Sequence, residues 1–113
     1  MQLLYKILSA EEWHSAVAAG TFSGSAIDLK DGYIHLSAAH QMRETAARHF
    51  NGREGLVLVA FPADRLRHLK WEASRGGDLF PHVYDDIPAD AAAWVKPLPL
   101  IGGVHRFPDE AGL

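Results

Sequence analysis

Leu56-Val57-Leu58-Val59-Ala60-Phe61 is an unbroken apolar run bounded by Gly55 and Pro62. Six residues are too few for a core helix, and the paired valines favour extended backbone. The run therefore predicts a strand buried on both faces at the centre of a sheet. Its companions lie on either side in the chain. Leu3 to Leu8 reads as a first strand, Leu69 to Glu72 as a half-buried one, Phe80 to Tyr84 as an aromatic one, and Ala93 to Leu98 as an edge strand containing Pro97.

Two stretches change period from two to 3.6. Ser9-Ala10-Glu11-Glu12 matches a capping box, in which hydroxyl and carboxylate satisfy reciprocal backbone N–H groups, and a helix follows to about Ala19. It should turn Trp13, Ala16 and Val17 inward and stop at Gly20. Ala38, Ala39, Met42, Ala46 and Phe50 mark a second helix, with Ser37 as its N-cap and Asn51-Gly52 at its end. Thr21 to Lys30, with Ser23, Gly24 and Ser25, reads as a loop long enough to contact a ligand. Short helical turns fit Pro62 to Leu66 and Ala89 to Ala93. Residues 99–113 read as a surface extension with frayed ends. The expectation is one α+β domain over residues 1–113, core 3–98, with about five strands and two main helices.

Composition narrows the function classes. With 48% hydrophobic and 22% charged residues the 113-residue chain has globular balance, and its net charge of −3 argues against a general nucleic-acid binder. No apolar segment approaches the roughly 20 residues that span a bilayer. The absence of cysteine fits a reducing compartment, and Gln2, Tyr5 and Lys6 interrupt any apolar leader, so a cytoplasmic protein is expected.

Chemistry concentrates in Asp31-Gly32-Tyr33-Ile34-His35-Leu36-Ser37. In an extended chain Ile34 and Leu36 share one face while Tyr33, His35 and Ser37 share the other. The Phe80-Pro81-His82-Val83-Tyr84 segment repeats the theme, placing Phe80, His82 and Tyr84 together as an opposing wall. Glu72 stands at the polar edge of its strand. Gln41 and Thr45, four residues apart, are neighbours on a helix face close to the helix start after His35. Imidazoles can move a proton or donate a directed hydrogen bond, and Tyr and Ser oxygens can hold a ribose, phosphate or carbonyl. The seven histidines include no HExxH pair and there is no cysteine–histidine spacing, so no metal site is expected although His35, Glu72 and His82 carry ligand atoms. Ser37 lacks the G-x-S-x-G surroundings of a nucleophile.

These same segments, Asp31 to Ser37, Gln41, Thr45-Ala46, Leu69-Lys70-Trp71-Glu72 and Phe80 to Tyr84, resemble the bacterial domain of unknown function family numbered nine hundred and fifty-two, over Leu4 to about Leu98. The resemblance implies an ADP-ribosyltransferase-like fold with a cleft between small sheets for NAD or an ADP-ribosylated intermediate. Ile34-His35-Leu36-Ser37 is also similar to a strand of the RNA 2′-phosphotransferases. The likeness implies that His35 holds the nicotinamide-side ribose or orients the substrate, with Ser37 and Tyr84 shaping the pocket. No glutamate aligns to the late-strand glutamate of such transferases, and Glu72 is the candidate catalytic carboxylate beside His35, with Tyr33, Gln41, Thr45 and His82 as candidate ligand contacts. Arg43, Arg48 and Arg75 could supply charge for phosphate. NAD is the implied cofactor and a nucleotide-like small molecule the implied partner; a noncatalytic binding or interaction domain is the rival reading.

Overall fold

The strand predicted at Leu56 runs as Leu56–Pro62 in the computed structural model, which describes residues 2–113 apart from the side chain of Arg75. In chain order the elements are β1 (Leu3–Ser9), α1 (Ala10–Ala19), β2 (Thr21–Phe22), α2 (Ala26–Asp31), β3 (Ile34–His35), α3 (Met42–His49), β4 (Leu56–Pro62), β5 (Leu69–Ala73), β6 (Leu79–Val83), β7 (Ile87–Pro88), β8 (Trp94–Leu98), β9 (Leu100–Ile101) and β10 (Val104–His105). All pairings are antiparallel. β4 is central in the sheet β1-β4-β8, a second sheet runs β3-β6-β5, and β2 with β7 and β9 with β10 form two-stranded ribbons. A bridge between Tyr5 and Ser37 ties the two larger sheets together.

β4 is buried on both sides because each face feeds a separate core. Val59 and Phe61 pack with Leu4, Leu8, Trp13, Ile34 and Val83, while Leu58 and Ala60 pack with Tyr5, Ile7, Met42 and Leu98. Every large side chain so buried contributes about 1.5–3 kcal/mol. The Ser9–Glu12 capping box forms as predicted, with Glu12 N donating to Ser9 Oγ at 3.0 Å and Ser9 N donating to Glu12 Oε1 at 3.3 Å. Gly20 closes α1 at φ +83°. Val17 is instead exposed, because the stripe facing the sheet is only wide enough for Trp13 and Ala16.

Several expectations are corrected. The molecule is a compact α+β structure with, among the described residues, ten short strands and three α-helices, more than about five strands and two helices. The extra elements are ribbons of two residues and a helix of six, below the length at which periodicity shows. Thr21 to Lys30 is not a loop: it contains β2 and α2, and Asp28 reaches back to accept from Ser25 N at 2.9 Å. Ser37 does not cap the second helix. A short 3₁₀ turn at Ala39–Gln41 precedes α3, and Gln41 Oε1 accepts from Ala38 N at 3.0 Å. Trp71 lies exposed on the edge strand β5. Residues 99–113 are docked. Gly102 and Gly103, at φ +60° and +81°, make the two-residue turn between β9 and β10, and both residues need a conformation that glycine adopts without a Cβ penalty. His105 then lies within 2.9 Å of the Arg53 carbonyl through Nε2, and Ala111 enters the second core.

Candidate functional site

The register of the second sheet gathers the chemistry. His35 on β3 pairs directly with His82 on β6, Lys70 on β5 pairs with His82, and Glu72 pairs with Phe80. Residues directly opposite in a ladder share a face. The two histidine segments are therefore adjacent strands of one sheet, and the Phe80–Tyr84 strand is a neighbour of the Tyr33–Ser37 segment instead of an opposing wall.

The anchor of this face is a residue that the strand pattern does not mark, Asp28. It is buried at 2% exposure and accepts five contacts: Lys6 Nζ at 2.8 and 3.0 Å, Ser25 N at 2.9 Å, His35 N at 3.1 Å and His35 Nδ1 at 2.7 Å. Burial alone would push its carboxyl up. The hydrogen bond from His35 and the charge and hydrogen bonds of Lys6 outweigh burial and hold it at about 2. Burial pulls the Lys6 ammonium down, against the attraction of Asp28, and its third hydrogen bond goes to the His35 carbonyl at 2.9 Å. Lys6 is the signal that sequence reasoning could have used. It sits between Leu4 and Leu8 on an inward strand face, where an ammonium needs a buried acceptor. The other ring nitrogen of His35, Nε2, lies 3.0 Å from Asp31 Oδ2.

A second carboxylate orients the second histidine. Glu72 Oε1 lies 2.8 Å from His82 Nδ1 and accepts the Tyr84 hydroxyl at 2.7 Å. The hydrogen bonds from Tyr84 and His82 hold Glu72 below the usual carboxylate range, and the same bond pushes the Tyr84 phenol up to about 12. Tyr33 is the common platform: its ring centroid lies 4.6 Å from that of His35, 4.3 Å from His82 and 5.1 Å from Tyr84.

A cleft of about 730 Å³ opens beside this array. His35, Ser37, Thr45 and His82 line it, together with Asp31, and His49 and Arg53 line it too. Ser37 Oγ and Thr45 Oγ1 are 3.1 Å apart. The other expected residues are placed elsewhere. Gln41 is buried and ties the start of α3 to β6, donating to the Leu79 carbonyl at 2.8 Å. Tyr33 and Tyr84 line a smaller adjoining groove of about 280 Å³. Glu72 lines neither and is bonded to His82 and Tyr84. Arg43 lies over the Phe107 ring and Arg48 pairs with Glu44 at 2.9 Å; the side chain of Arg75 lies outside the described residues. Among the described residues no three His, Cys, Asp or Glu are grouped as metal ligands, and no helix is long and apolar enough to cross a membrane.

Residues 7–95 match the sequence model of a family described as a protein of unknown function, DUF952. The chain belongs to this family. The crystal structure of protein CC0527 from Caulobacter crescentus is 50% identical to this DUF952 chain, with a TM-score of 0.92 over 98% of this chain and 99% of that one. A double mutant of the same Caulobacter protein gives 49% identity and a TM-score of 0.91 over 98% and 99%. Its solution NMR structure gives 50% and 0.86 over 97% of each chain. A comparison with curated proteins returns no match.

Proposed function

We propose that this DUF952 domain binds an ADP-ribose-type nucleotide, with NAD as the natural cofactor class, in a cleft of ADP-ribosyltransferase-like character between its two larger sheets. One observation carries the reading. His35 is an imidazole fixed through Nδ1 by a buried, five-fold-bonded Asp28, and it lines a cleft whose walls come from both sheets, with Tyr5 and Ile7 on β1 and Phe80 and His82 on β6. Such a group directs a hydrogen bond with little entropic cost, because its orientation is set before the ligand arrives.

The rest of the lining suits the ligand class. Ser37 and Thr45 offer hydroxyls to a ribose, and Arg53, stacked 5.3 Å from the Phe50 ring centroid, offers positive charge to a pyrophosphate. The volume lies within the range that encloses small ligands, about 300–1,000 Å³. His35, Ser37, Thr45 and His82 are the contact residues in this reading, and Tyr33, Gln41 and Tyr84 support them from behind.

Binding without ADP-ribosyl transfer is the second reading, and the position of Glu72 favours it. Its carboxylate is engaged by His82 and Tyr84 and does not line the cleft, so it is not poised to orient an acceptor. Titration with NAD and ADP-ribose, followed by amide and histidine NMR signals, tests the proposal. Shifts confined to the β3, β6 and α3 residues around the cleft are expected; millimolar ligand that leaves His35, Ser37 and Thr45 unmoved sinks it. An NAD-consumption assay in parallel separates transfer from binding alone.

A further inference from the structure

Two imidazoles on one cleft wall, each held by a carboxylate at Nδ1, form an arrangement that binding alone does not require. Asp28 lies 2.7 Å from His35 Nδ1 and Glu72 lies 2.8 Å from His82 Nδ1, and the two rings, paired in register on neighbouring strands, have centroids 5.3 Å apart at 69°. A carboxylate on one ring nitrogen fixes the tautomer and leaves the other nitrogen for chemistry. We propose that His35 and His82 are a general acid–base pair that opens a cyclic phosphodiester on a ribose, an activity that rests on the cleft accepting a ribose nucleotide.

The two rings are not equivalent, and the difference assigns their roles. Both nitrogens of His35 face carboxylate oxygens, Asp28 at 2.7 Å and Asp31 at 3.0 Å. Carboxylates only accept, so both contacts are satisfied when the ring carries two N–H groups; His35 is equipped to donate a proton from Nε2. His82 gives its Nδ1 hydrogen to Glu72, so in the neutral ring Nε2 keeps the lone pair, which equips that nitrogen to accept a proton. Arg53 lines the same cleft with its guanidinium over the Phe50 ring, 5.3 Å from the centroid, and brings a positive charge suited to a phosphodiester anion.

The step balances with water alone. A water oxygen bonds to phosphorus as His82 Nε2 takes its proton, and one phosphorus–oxygen bond of the ring breaks. The leaving ribose oxygen, sitting where Asp31 now meets Nε2, takes the proton of His35. The product is a ribose phosphate monoester with a free hydroxyl, and proton exchange with solvent restores both rings. Asp28 and Glu72 are positioning residues here, since neither touches the reacting atoms.

The test uses the full chain with 2′,3′-cyclic AMP and ADP-ribose 1″,2″-cyclic phosphate, following monoester formation by phosphorus NMR and binding by amide NMR. Turnover with a bell-shaped pH profile is expected. His35→Ala and His82→Ala should each lower kcat by about 100-fold or more and remove one limb of the bell. Should His35→Ala not fold, His35→Asn keeps a side-chain N–H for Asp28. Glu72→Gln should lower kcat less than His82→Ala and shift the limb that His82→Ala abolishes, a change that a purely structural role would not produce. Binding without turnover overturns the acid–base pair and leaves the nucleotide reading standing. Turnover that survives both histidine substitutions also overturns it. Failure of NAD, ADP-ribose and both cyclic phosphates to bind overturns both readings.

Discussion

Lys6 and Asp28 form a two-pronged ion pair, Nζ to Oδ2 at 2.8 Å and to Oδ1 at 3.0 Å, with side chains only 7% and 1% exposed. Removing one partner of such a pair leaves the other buried and uncompensated. Lys6→Met is accordingly expected to cost about 3–5 kcal/mol, measured by urea unfolding. A loss below about 1 kcal/mol would mean that the His35 and backbone donors suffice to hold Asp28 without the ammonium.

Acid sensitivity follows from the same carboxylate. Asp28 is lowered from an ordinary 3.8 to about 2 in the folded protein. A depressed folded-state value means that the stabilisation is complete above the unfolded value and is lost as pH falls from about 4 towards 2. Stability measured across that window should fall more steeply for the natural chain than for Asp28→Asn, which has lower stability at neutral pH and lacks this titration. Parallel curves for the two proteins would refute the assignment.

The Tyr84 phenol is raised to about 12 by its hydrogen bond to Glu72. The sign is opposite to that of Asp28: the contact is intact below the unfolded tyrosine value and is lost as pH rises through the folded one. In Glu72→Gln the charged acceptor is gone, so one tyrosine should titrate closer to its ordinary value of 10. Tyrosinate absorbance in the two proteins reads this directly; an unchanged titration curve would show that the bond is not formed in solution.

Gly24 stands at φ +125°, and a Cβ there would lie 2.9 Å from Asp28 Cβ. Gly24→Ala therefore strains the backbone and pushes on the residue that fixes His35. A cost above about 1 kcal/mol is expected, with displaced His35 ring signals in NMR spectra. Full stability together with unmoved signals would show that the loop relaxes freely.

What the sequence disclosed and what it hid divide along a physical line. Leu56 to Phe61 could be read as the central strand because burial on both faces demands an unbroken apolar run, and the Ser9–Glu12 box announced its helix because capping chemistry is local. Alternation placed Ile34 and Leu36 in the core and His35 on the other face. Non-local partners were not legible. Register alone brings His35 beside His82, and no spacing in the chain specifies that pairing. Asp28 was hidden by the serines and glycine before it, which read as loop, although an ammonium between Leu4 and Leu8 required some buried acceptor. Gln41 looked like a ligand contact because helix-surface position says nothing about whether a side-chain amide is spent on backbone, as Gln41 is on Ala38 and Leu79. The hairpin at Gly102-Gly103 was under-read for the same reason as β2 and β7: two-residue strands have no period.

Tyr33 touches three other rings while standing outside the main cleft. Its π-face makes it an internal gauge. The ring current of one phenol bears on the protons of both imidazoles, so a ligand that tilts either histidine alters the magnetic environment of a residue it never meets. The two histidines also share one lever: a change of ring at position 33 disturbs both at once, and substitutions at His35 and His82 should combine non-additively through it.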